Sequence, residues 1–244
     1  MSRVTAIVLA AGSGSRMKTD MPKQFLKLGD REVITYSLEV FQEHQSITDI
    51  ILVTGREYVE YCKCEIVDRY GLDKVTEVIC GGAQRYDSVY AGLKCCGMGN
   101  DDIVMIHDGA RPFVTEKMIT ASIECIRNGN VGCTVAVPSK DTVKLACEIN
   151  GVLTGNETPD RKNVYLIQTP QTFRTSELMK AYEKMYNSPN HNITDDTMLL
   201  EQYMGVKSVL VEGTYENIKL TTPEDLLIAE IFAEKKLKKI KKMC

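Results

Sequence analysis

Short apolar runs alternate with segments of helical spacing along most of the chain. The first run, residues 4–10, consists almost wholly of β-branched and small apolar residues, a pattern typical of a strand buried on both faces. Similar runs predict strands at 50–53, 75–80, 102–106, 132–137, 164–168 and 207–212. Helical spacing and capping residues predict helices at 33–43, 58–70 (with Gly71 as its stop), 84–93, 115–127, 175–186, 194–203 and from 222 onward. This alternation predicts an α/β protein with a mostly parallel sheet flanked by helices.

One segment departs from this alternation. Residues 142–157 contain Asn150-Gly151, a strong signal for a two-residue hairpin turn. The resulting antiparallel ribbon has no obvious partner in a parallel sheet, and an isolated two-stranded hairpin is marginally stable in water. We therefore expect the hairpin to pack on another subunit. The alternative is a hairpin that folds back on its own domain.

Composition narrows the classes of function. The 244 residues suffice for one sizeable domain, and 43% hydrophobic and 26% charged residues are ordinary for a globular protein. A net charge of −3 gives no electrostatic case for nucleic-acid binding, and no stretch is apolar for long enough to span a membrane. The lysine-rich segment 235–242 is interpreted as a solvated helix end rather than a nucleic-acid or membrane patch.

The cysteines and histidines give no sequence signal for a metal site or a catalytic thiol. The nine cysteines have no zinc-like spacing, and we expect them to be buried or partly buried free thiols. The short apolar run near the start is unlike a signal peptide, so we expect a reducing, cytoplasmic location. His44 and His191 are expected at the surface.

A glycine-rich loop follows the first predicted strand. Gly12 and Gly14 allow the backbone to bend and bring its N–H groups close to an anion. Arg16 offers a planar fork for phosphate oxygens, and Lys23 adds a second cation. A buried strand that leads into such a loop favours a triphosphate site over an ordinary turn.

The loop matches neither of two common phosphate-binding motifs. The dinucleotide-binding fingerprint requires a third glycine, whereas position 17 is Met. The Walker loop requires Gly-Lys-Ser/Thr, whereas Lys18 is isolated.

Two further clusters follow predicted strands. Residues 81–88 begin with two glycines and offer donors from Arg85 and Ser88 near a helix start. Residues 107–112 contain Asp108, which would be a natural Mg²⁺ ligand beside phosphates. Because ligands bind beyond the carboxyl ends of strands in open α/β sheets, three such clusters favour a nucleotide-binding enzyme.

Taken together, the motifs carry a family resemblance. They are residues 10–17 (Ala-Ala-Gly-Ser-Gly-Ser-Arg-Met), 22–25 (Pro-Lys-Gln-Phe), Gly81-Gly82-x-x-Arg85-x-x-Ser88, His107-Asp108-x-Ala110-Arg111-Pro112, Asp141-Thr142-x-Lys144, Gln168-Thr169-Pro170-Gln171-x-Phe173 and Asn217-Ile218-Lys219-x-Thr221-x-Pro223-Glu224-Asp225. From residue 4 to about residue 232, the chain resembles the 2-C-methyl-D-erythritol 4-phosphate cytidylyltransferase (IspD) family. The resemblance implies a Rossmann-like, GT-A-like nucleotidyltransferase fold with a protruding β-arm. It also implies one domain over 1–244, with 139–162 as a dimerisation arm.

The resemblance implies a reaction in non-mevalonate isoprenoid biosynthesis. CTP and 2-C-methyl-D-erythritol 4-phosphate would give 4-diphosphocytidyl-2-C-methyl-D-erythritol and pyrophosphate. Arg16 and Lys23 would hold the triphosphate, Lys219 would assist at the α-phosphate, and Asp108 would hold Mg²⁺. No covalent intermediate is required.

The resemblance also implies a set of substrate-binding residues and a homodimer. The residues implied at the nucleotide are Ala10, Ala11, Gly12, Gly14, Gly82, Ala83 and Ser88. Arg111 would also bind substrate, while Thr142 and Arg161 would contact the sugar phosphate held by the other subunit.

Two alternatives stay open at this point. A ribitol 5-phosphate cytidylyltransferase shares the segments around His107 and Gln168. A catalytically inactive nucleotide-binding regulator is the second alternative, although the cations and Asp108 argue against it.

Overall fold

The computed structural model of the chain describes residues 2–12, 21–189 and 193–243, with side chains up to residue 235. The strands in these ranges are β1 (Val4–Ala10), β2 (Lys27–Leu28), β3 (Arg31–Glu32), β4 (Asp49–Thr54), β5 (Val75–Cys80), β6 (Ile103–Asp108), β7 (Gly132–Pro138), β8 (Leu145–Ile149), β9 (Val152–Glu157), β10 (Tyr165–Arg174) and β11 (Val209–Glu212). The helices are α1 (Val33–Glu43), α2 (Val59–Tyr61), α3 (Arg85–Leu93), α4 (Glu116–Arg127), α5 (Thr175–Tyr186), α6 (Asp196–Met204) and α7 (Pro223–Met243). The predicted alternation of strands and helices is confirmed.

The central sheet of the described residues has seven strands in the order β11-β7-β10-β6-β1-β4-β5. β1 pairs in parallel with both β4 and β6, β4 with β5, and β7 with β11. β10 is antiparallel to both of its neighbours. The sheet is therefore mostly parallel, as predicted, and the carboxyl ends of β1, β4, β5 and β6 meet at one edge.

Both faces of the sheet are covered by helices. Val4, Ala6 and Val8 of β1 pack with residues of α1 and α4, whereas Ile7 and Leu9 pack with residues of α3 and α5. This two-residue period explains why β1 is apolar nearly throughout, since each of its faces is buried. Within the described residues, every helix is too short or too polar to cross a membrane.

Helix α7 covers a smaller third cluster at the side of the molecule. Ala229 and Ala233 of α7 pack with Leu28 of the short β2–β3 hairpin, with Phe113 and with Leu220. The loop that precedes α7 is thereby held near the carboxyl end of β6.

The predicted hairpin is present as a separate two-stranded arm, β8–β9. Its turn residues Asn150 and Gly151 have φ of 51° and 78°, as a type I′ turn requires. All of β8 and most of β9 are exposed, and the side chain of Leu153 is 80% exposed. Among the described residues the arm pairs with no strand of the central sheet.

Two predictions about burial are wrong. His44, expected at the surface, is only 6% exposed because α4 packs beside it, and its Nε2 lies 2.9 Å from Thr120 Oγ1.

The eight described cysteines are free thiols, and Cys62 and Cys133 are buried. However, Cys64, Cys80, Cys95 and Cys147 are exposed, contrary to the expectation of burial. Cys80, for example, ends the half-exposed strand β5 at the edge of the sheet.

The predicted helix at 58–70 is helical but irregular. It begins as a 3₁₀ turn at Arg56–Tyr58, passes through α2 and continues as a π-helical stretch at Cys62–Asp68. Gly71 has a φ of +60°, and a Cβ added there would meet no atom within 4 Å. The glycine is therefore required by its backbone conformation and not by crowding.

We predict that Gly71→Ala lowers the free energy of unfolding by about 1 kcal/mol, because an L side chain is strained in the left-handed region. Gly71→Asn is the matched control and should cost less, since Asn adopts that region more readily. Urea unfolding of both variants measures the difference. This explanation would be contradicted if the two variants lost equal free energy of unfolding, or if Gly71→Ala lost none.

Candidate active site

A cavity of about 420 Å³ opens at the carboxyl edge of the sheet. β1, the loop after β5 and the end of β6 form its walls. The residues that line it are Leu9, Ala11, Gly12, Lys23, Gln24, Gly82, Ala83, Gln84, Arg85, Ser88, Asp108, Ala110 and Lys219. The three clusters that the sequence placed after strands therefore converge.

Most of the predicted site residues lie in this cavity. Those that line it are Ala11, Gly12, Lys23, Gly82, Ala83, Ser88, Asp108 and Lys219. Ala10 is the buried last residue of β1 and lies beside the lining residues Leu9 and Ala11. Gly14, Arg16 and His191 lie outside the described residues.

The loop at 81–82 has room for glycine only. A Cβ on Gly81 would lie 2.6 Å from Ser88 Oγ and 2.7 Å from the Cβ of Ala11. Gly82 N–H donates to Ser88 Oγ at 3.1 Å, and the same hydroxyl donates to Gln84 O at 3.2 Å. These contacts hold the loop against the start of α3, so that Gly82 and Ala83 form part of the cavity wall.

The turn that carries Lys23 is held by contacts between aromatic rings. It begins the 3₁₀ turn Lys23–Phe25 and is only 8% exposed. The ring of Phe25 packs against Tyr58 and Tyr61, with centroid distances of 5.2 and 5.3 Å. The aromatic contact fixes the turn that carries the lysine into the cavity wall.

Asp108, the last residue of β6, forms the charged centre of the site. Its Oδ2 accepts a hydrogen bond from Lys219 Nζ at 2.7 Å, and its Oδ1 accepts one from Arg85 Nε at 3.3 Å. Burial acts to raise the pKa of this carboxyl, but the charges of Arg85 and Lys219 outweigh burial and leave the pKa well below its usual range. Asp108 is therefore ionised at any physiological pH.

Lys219 lies in the loop between β11 and α7. The N–H of the next residue, Leu220, donates to Ala110 O at 2.9 Å and ties this loop to the end of β6. The Lys219 side chain is 39% exposed, so it can leave Asp108 for another anion.

Arg85 was predicted only as a donor near a helix start, but the structure gives it a larger role. Its Nη1 donates to Asp196 Oδ2 at 2.8 Å, in addition to the contact with Asp108. Burial acts to lower the pKa of the guanidinium, but Asp196 and Asp108 outweigh burial and raise it. The sequence indicated Asp196 only as part of a helix start. No local pattern could have found this pair, because its members are 111 positions apart.

A second cavity of about 190 Å³ adjoins the first and shares Arg85, Asp108 and Lys219 with it. Arg111, a predicted substrate-binding residue, lines this second cavity. Its Nη1 donates to Asn217 O at 2.8 Å, and burial lowers its pKa. The arrangement provides two adjacent chambers that meet at one carboxylate and two cations.

Thr142 and Arg161 belong to the arm and are both exposed. Neither is among the described residues that line the two cavities. Arg161 Nη1 donates to Lys140 O at 3.2 Å, which places it where the arm leaves the body. The structure of one chain therefore does not bring them to their own site.

The carboxylates in the large cavity limit how a metal ion could bind. Among the described residues, there is no cluster of three metal-ligating side chains, and Asp108 is the one carboxylate that lines this cavity. Mg²⁺ is commonly held by one or two carboxylates together with phosphate oxygens and water. Asp108 fits that pattern as a single protein ligand.

His107 stabilises the carboxyl end of β6 through a series of hydrogen bonds. The N–H of Asp108 donates to Thr169 Oγ1 at 3.1 Å, which leaves that hydroxyl to donate to His107 Nδ1, also at 3.1 Å. His107 Nε2 then donates to Arg111 O at 3.0 Å. The neutral imidazole satisfies this whole chain, and burial lowers the pKa of His107 to about 4.

We predict that His107 makes the protein acid-sensitive. Between its ordinary pKa of 6.5 and its folded value of about 4, only the unfolded chain binds the proton, so stability falls as pH falls through this window. The loss amounts to at most about 3 kcal/mol. In urea unfolding at pH 4–7, His107→Asn should reduce the slope. His44, whose pKa burial also lowers, accounts for part of the remaining slope. An unchanged slope in the variant would contradict the assignment.

Comparison with known proteins agrees with this geometry. Residues 4–235 match the family model described as 2-C-methyl-D-erythritol 4-phosphate cytidylyltransferase. The enzyme of that name from Lachnoclostridium phytofermentans is 46% identical over 230 residues, which cover 94% of this chain and 96% of the relative. The enzyme of that name from Clostridium botulinum strain Langeland is 40% identical over 235 residues, covering 96% and 99% of the two chains.

Solved structures give the same result. The crystal structure of 4-diphosphocytidyl-2C-methyl-D-erythritol synthase from Anaerococcus prevotii matches with a TM-score of 0.81 and 33% identity, covering 96% of each chain. The 2-C-methyl-D-erythritol 4-phosphate cytidylyltransferase from Francisella tularensis matches with a TM-score of 0.77 and 31% identity, covering 93% of this chain and 98% of that one. The chain therefore belongs to the 2-C-methyl-D-erythritol 4-phosphate cytidylyltransferase (IspD) family.

Proposed function

We propose that this protein transfers the cytidylyl group of CTP to 2-C-methyl-D-erythritol 4-phosphate, in non-mevalonate isoprenoid biosynthesis. The products are 4-diphosphocytidyl-2-C-methyl-D-erythritol and pyrophosphate. One observation carries the proposal: the glycine loop, Lys23 and Lys219 surround Asp108 in one cavity at the carboxyl edge of the sheet. The relatives that match nearly the whole chain are named for this substrate, which favours it over ribitol 5-phosphate.

The large cavity holds the nucleotide. Its volume of about 420 Å³ is within the range of small-molecule sites. The cytosine lies against Ala11, Gly82 and Ala83, where the absence of large side chains lets the base approach the backbone closely. A flat base that is read by fixed backbone groups needs little rearrangement of the protein, which favours specific binding.

The triphosphate lies between Lys23 and Lys219. Two anions, the triphosphate and the acceptor phosphate, must approach each other, and their mutual repulsion opposes the reaction. Fixed cations in a partly desolvated cavity lower that barrier more than they would in water. In the proposal, Arg16 from the preceding loop joins them, although it lies outside the described residues.

In this proposal Asp108 would hold Mg²⁺, and the ion would supply charge neutralisation at the phosphates. Lys219, which contacts Asp108 Oδ2 and is 39% exposed, would turn from that oxygen to the α-phosphate of the bound nucleotide. Lys219 thus pairs with Asp108 in the ligand-free protein and contacts phosphate when the nucleotide is bound.

The second cavity accepts the sugar phosphate. Arg111 lies in its wall, and the shared wall at Asp108 and Lys219 brings the acceptor phosphate next to the nucleotide. The acceptor oxygen attacks the α-phosphorus directly, a new P–O bond forms, and the bond to the β-phosphate oxygen breaks to release pyrophosphate. Since both reactants are held by the protein, positioning and charge stabilisation suffice.

The acting unit in this proposal is a cytoplasmic homodimer of one-domain chains, 1–244, joined through the arm 139–162. The arm exposes Leu145, Ile149 and Leu153, which are 52%, 50% and 80% exposed. Ile149 pairs across the ribbon with Val152, which is 63% exposed, and adjoining exposed apolar side chains are typical of an interaction surface. A partner subunit that covers this arm would bring its Thr142 and Arg161 to the neighbouring sugar phosphate.

We predict that Lys23→Ala lowers kcat of CTP-dependent pyrophosphate release by about 100- to 1,000-fold, because a fixed cation is lost from the transition state. Lys180→Ala, which removes an exposed lysine of α5, is the matched control and should retain normal rates. Circular dichroism of both variants checks the fold. Near-normal rates for a folded Lys23→Ala variant would contradict the assigned role.

The shared site predicts complementation between subunits. Arg161→Ala and Lys23→Ala chains are each expected to be nearly inactive, but mixing equal amounts should recover about a quarter of wild-type activity, since half of the dimers are mixed and each has one intact site. Pyrophosphate release measures this recovery. An absence of recovery, with subunit exchange verified by mass spectrometry, would count against a site built from two chains.

A further inference from the structure

Asp196 carries a charge that neither cavity uses directly. It is 0% exposed and is not among the residues that line either cavity. Its Oδ2 accepts from Arg85 Nη1 at 2.8 Å. A buried carboxylate needs a cation partner, and a cation that already lies at the site supplies it here.

Asp196 is itself held firmly. Its Oδ1 accepts from the hydroxyl of Tyr182 at 2.6 Å, and its N–H donates to Gln171 Oε1 at 3.0 Å. Asp196 also begins α6, where Asp195 caps the helix. These contacts fix Asp196 and, through it, the position of the Arg85 guanidinium.

Arg85 divides its charge unequally between two carboxylates. Its contact with Asp196 measures 2.8 Å, whereas its contact with Asp108 measures 3.3 Å. Lys219, at 2.7 Å, is the closer partner of Asp108 and is also the more exposed cation. When a ligand enters, Lys219 can move to it while Arg85 stays with Asp196.

We propose that Asp196 is a positioning residue that draws the charge of Arg85 away from Asp108 and so leaves Asp108 able to bind a metal ion. This inference rests on the proposed function, because it assigns the metal to Asp108. Without the negative charge of Asp196, Arg85 has Asp108 as its one carboxylate partner among the described residues. Arg85 then competes with the metal for the same oxygens.

Asp196→Asn tests the proposal, since it removes the charge and keeps the shape of the side chain. Mn²⁺ is titrated into protein with CTP but without acceptor, and electron paramagnetic resonance reports the bound fraction. The variant should bind Mn²⁺ about tenfold more weakly than wild type. Calorimetry with CTP in EDTA should show affinity equal to or tighter than that of wild type, because the site has gained a positive charge. General damage to the fold would instead weaken both the binding of Mn²⁺ and the binding of CTP.

The double variant Arg85→Gln/Asp196→Asn shows whether the effect passes through Arg85. It removes both charges of the buried pair, and Mn²⁺ affinity should return to that of wild type or become tighter. Tyr182→Phe removes one hydrogen bond from Asp196 but keeps its charge, so Mn²⁺ affinity should change by less than about twofold.

Three results would overturn the inference. Unchanged Mn²⁺ affinity in Asp196→Asn would overturn the role of Asp196 but would leave the proposed function intact. Weak Mn²⁺ binding in the double variant would show that Arg85 is not the competitor, and this variant decides the question if Asp196→Asn does not fold. If wild-type protein with CTP binds no Mn²⁺, both this inference and the assignment of the metal to Asp108 fail, whereas turnover of CTP tests the cytidylyltransferase activity separately.

Discussion

A carboxylate that is withdrawn from water keeps its charge only if other groups replace the lost solvation. At Asp108 the replacement comes from two cations, Arg85 and Lys219, which contact different oxygens of the same carboxyl group. A buried charge that loses its partners is strongly destabilising, so the ionised Asp108 needs cations beside it. Lys219 is 39% exposed and can turn to a ligand, whereas Arg85 is also held by Asp196 and stays at the site. These three side chains line both cavities.

The parallel sheet makes that arrangement possible. β1 and β6 are neighbours and end at the same edge, although about a hundred residues separate them along the chain. Arg85 comes from the start of α3, and Lys219 from a loop tied to Ala110 by a backbone hydrogen bond. The backbone of each segment is thereby fixed beside Asp108, while the partly exposed Lys219 side chain can still turn to a ligand. Close contacts at Gly81, and the rings of Tyr58 and Tyr61 against Phe25, restrict the remaining walls.

Local patterns predicted the elements well because the inner strands β1, β4, β6 and β7 are buried and most helices turn an apolar face to the sheet. They also predicted which segments follow strands, and therefore most of the residues in the large cavity. Strand direction is not a local property, so the antiparallel β10 and its extension through Pro170 to Arg174 were missed. Burial by a distant element was missed for the same reason: His44 is covered by Thr120, 76 positions away. The pairing of Arg85 with Asp196 depends on the complete fold, and no spacing in the sequence could indicate it.

The arm links the energetics of the fold to the organisation of the proposed dimer. A two-stranded ribbon has little stability of its own, and β8 and β9 expose apolar side chains that water solvates poorly. The body leaves them exposed, since Leu145, Ile149 and Leu153 are 52%, 50% and 80% exposed. Exposed apolar residues on a protruding element gain most when a second chain buries them, and Arg161 lies at the base of that element. In the proposed dimer, the burial that orders the arm also delivers Arg161 to the neighbouring site. Association and completion of the acceptor site are then one event, so dilution that separates the subunits removes activity without unfolding the body.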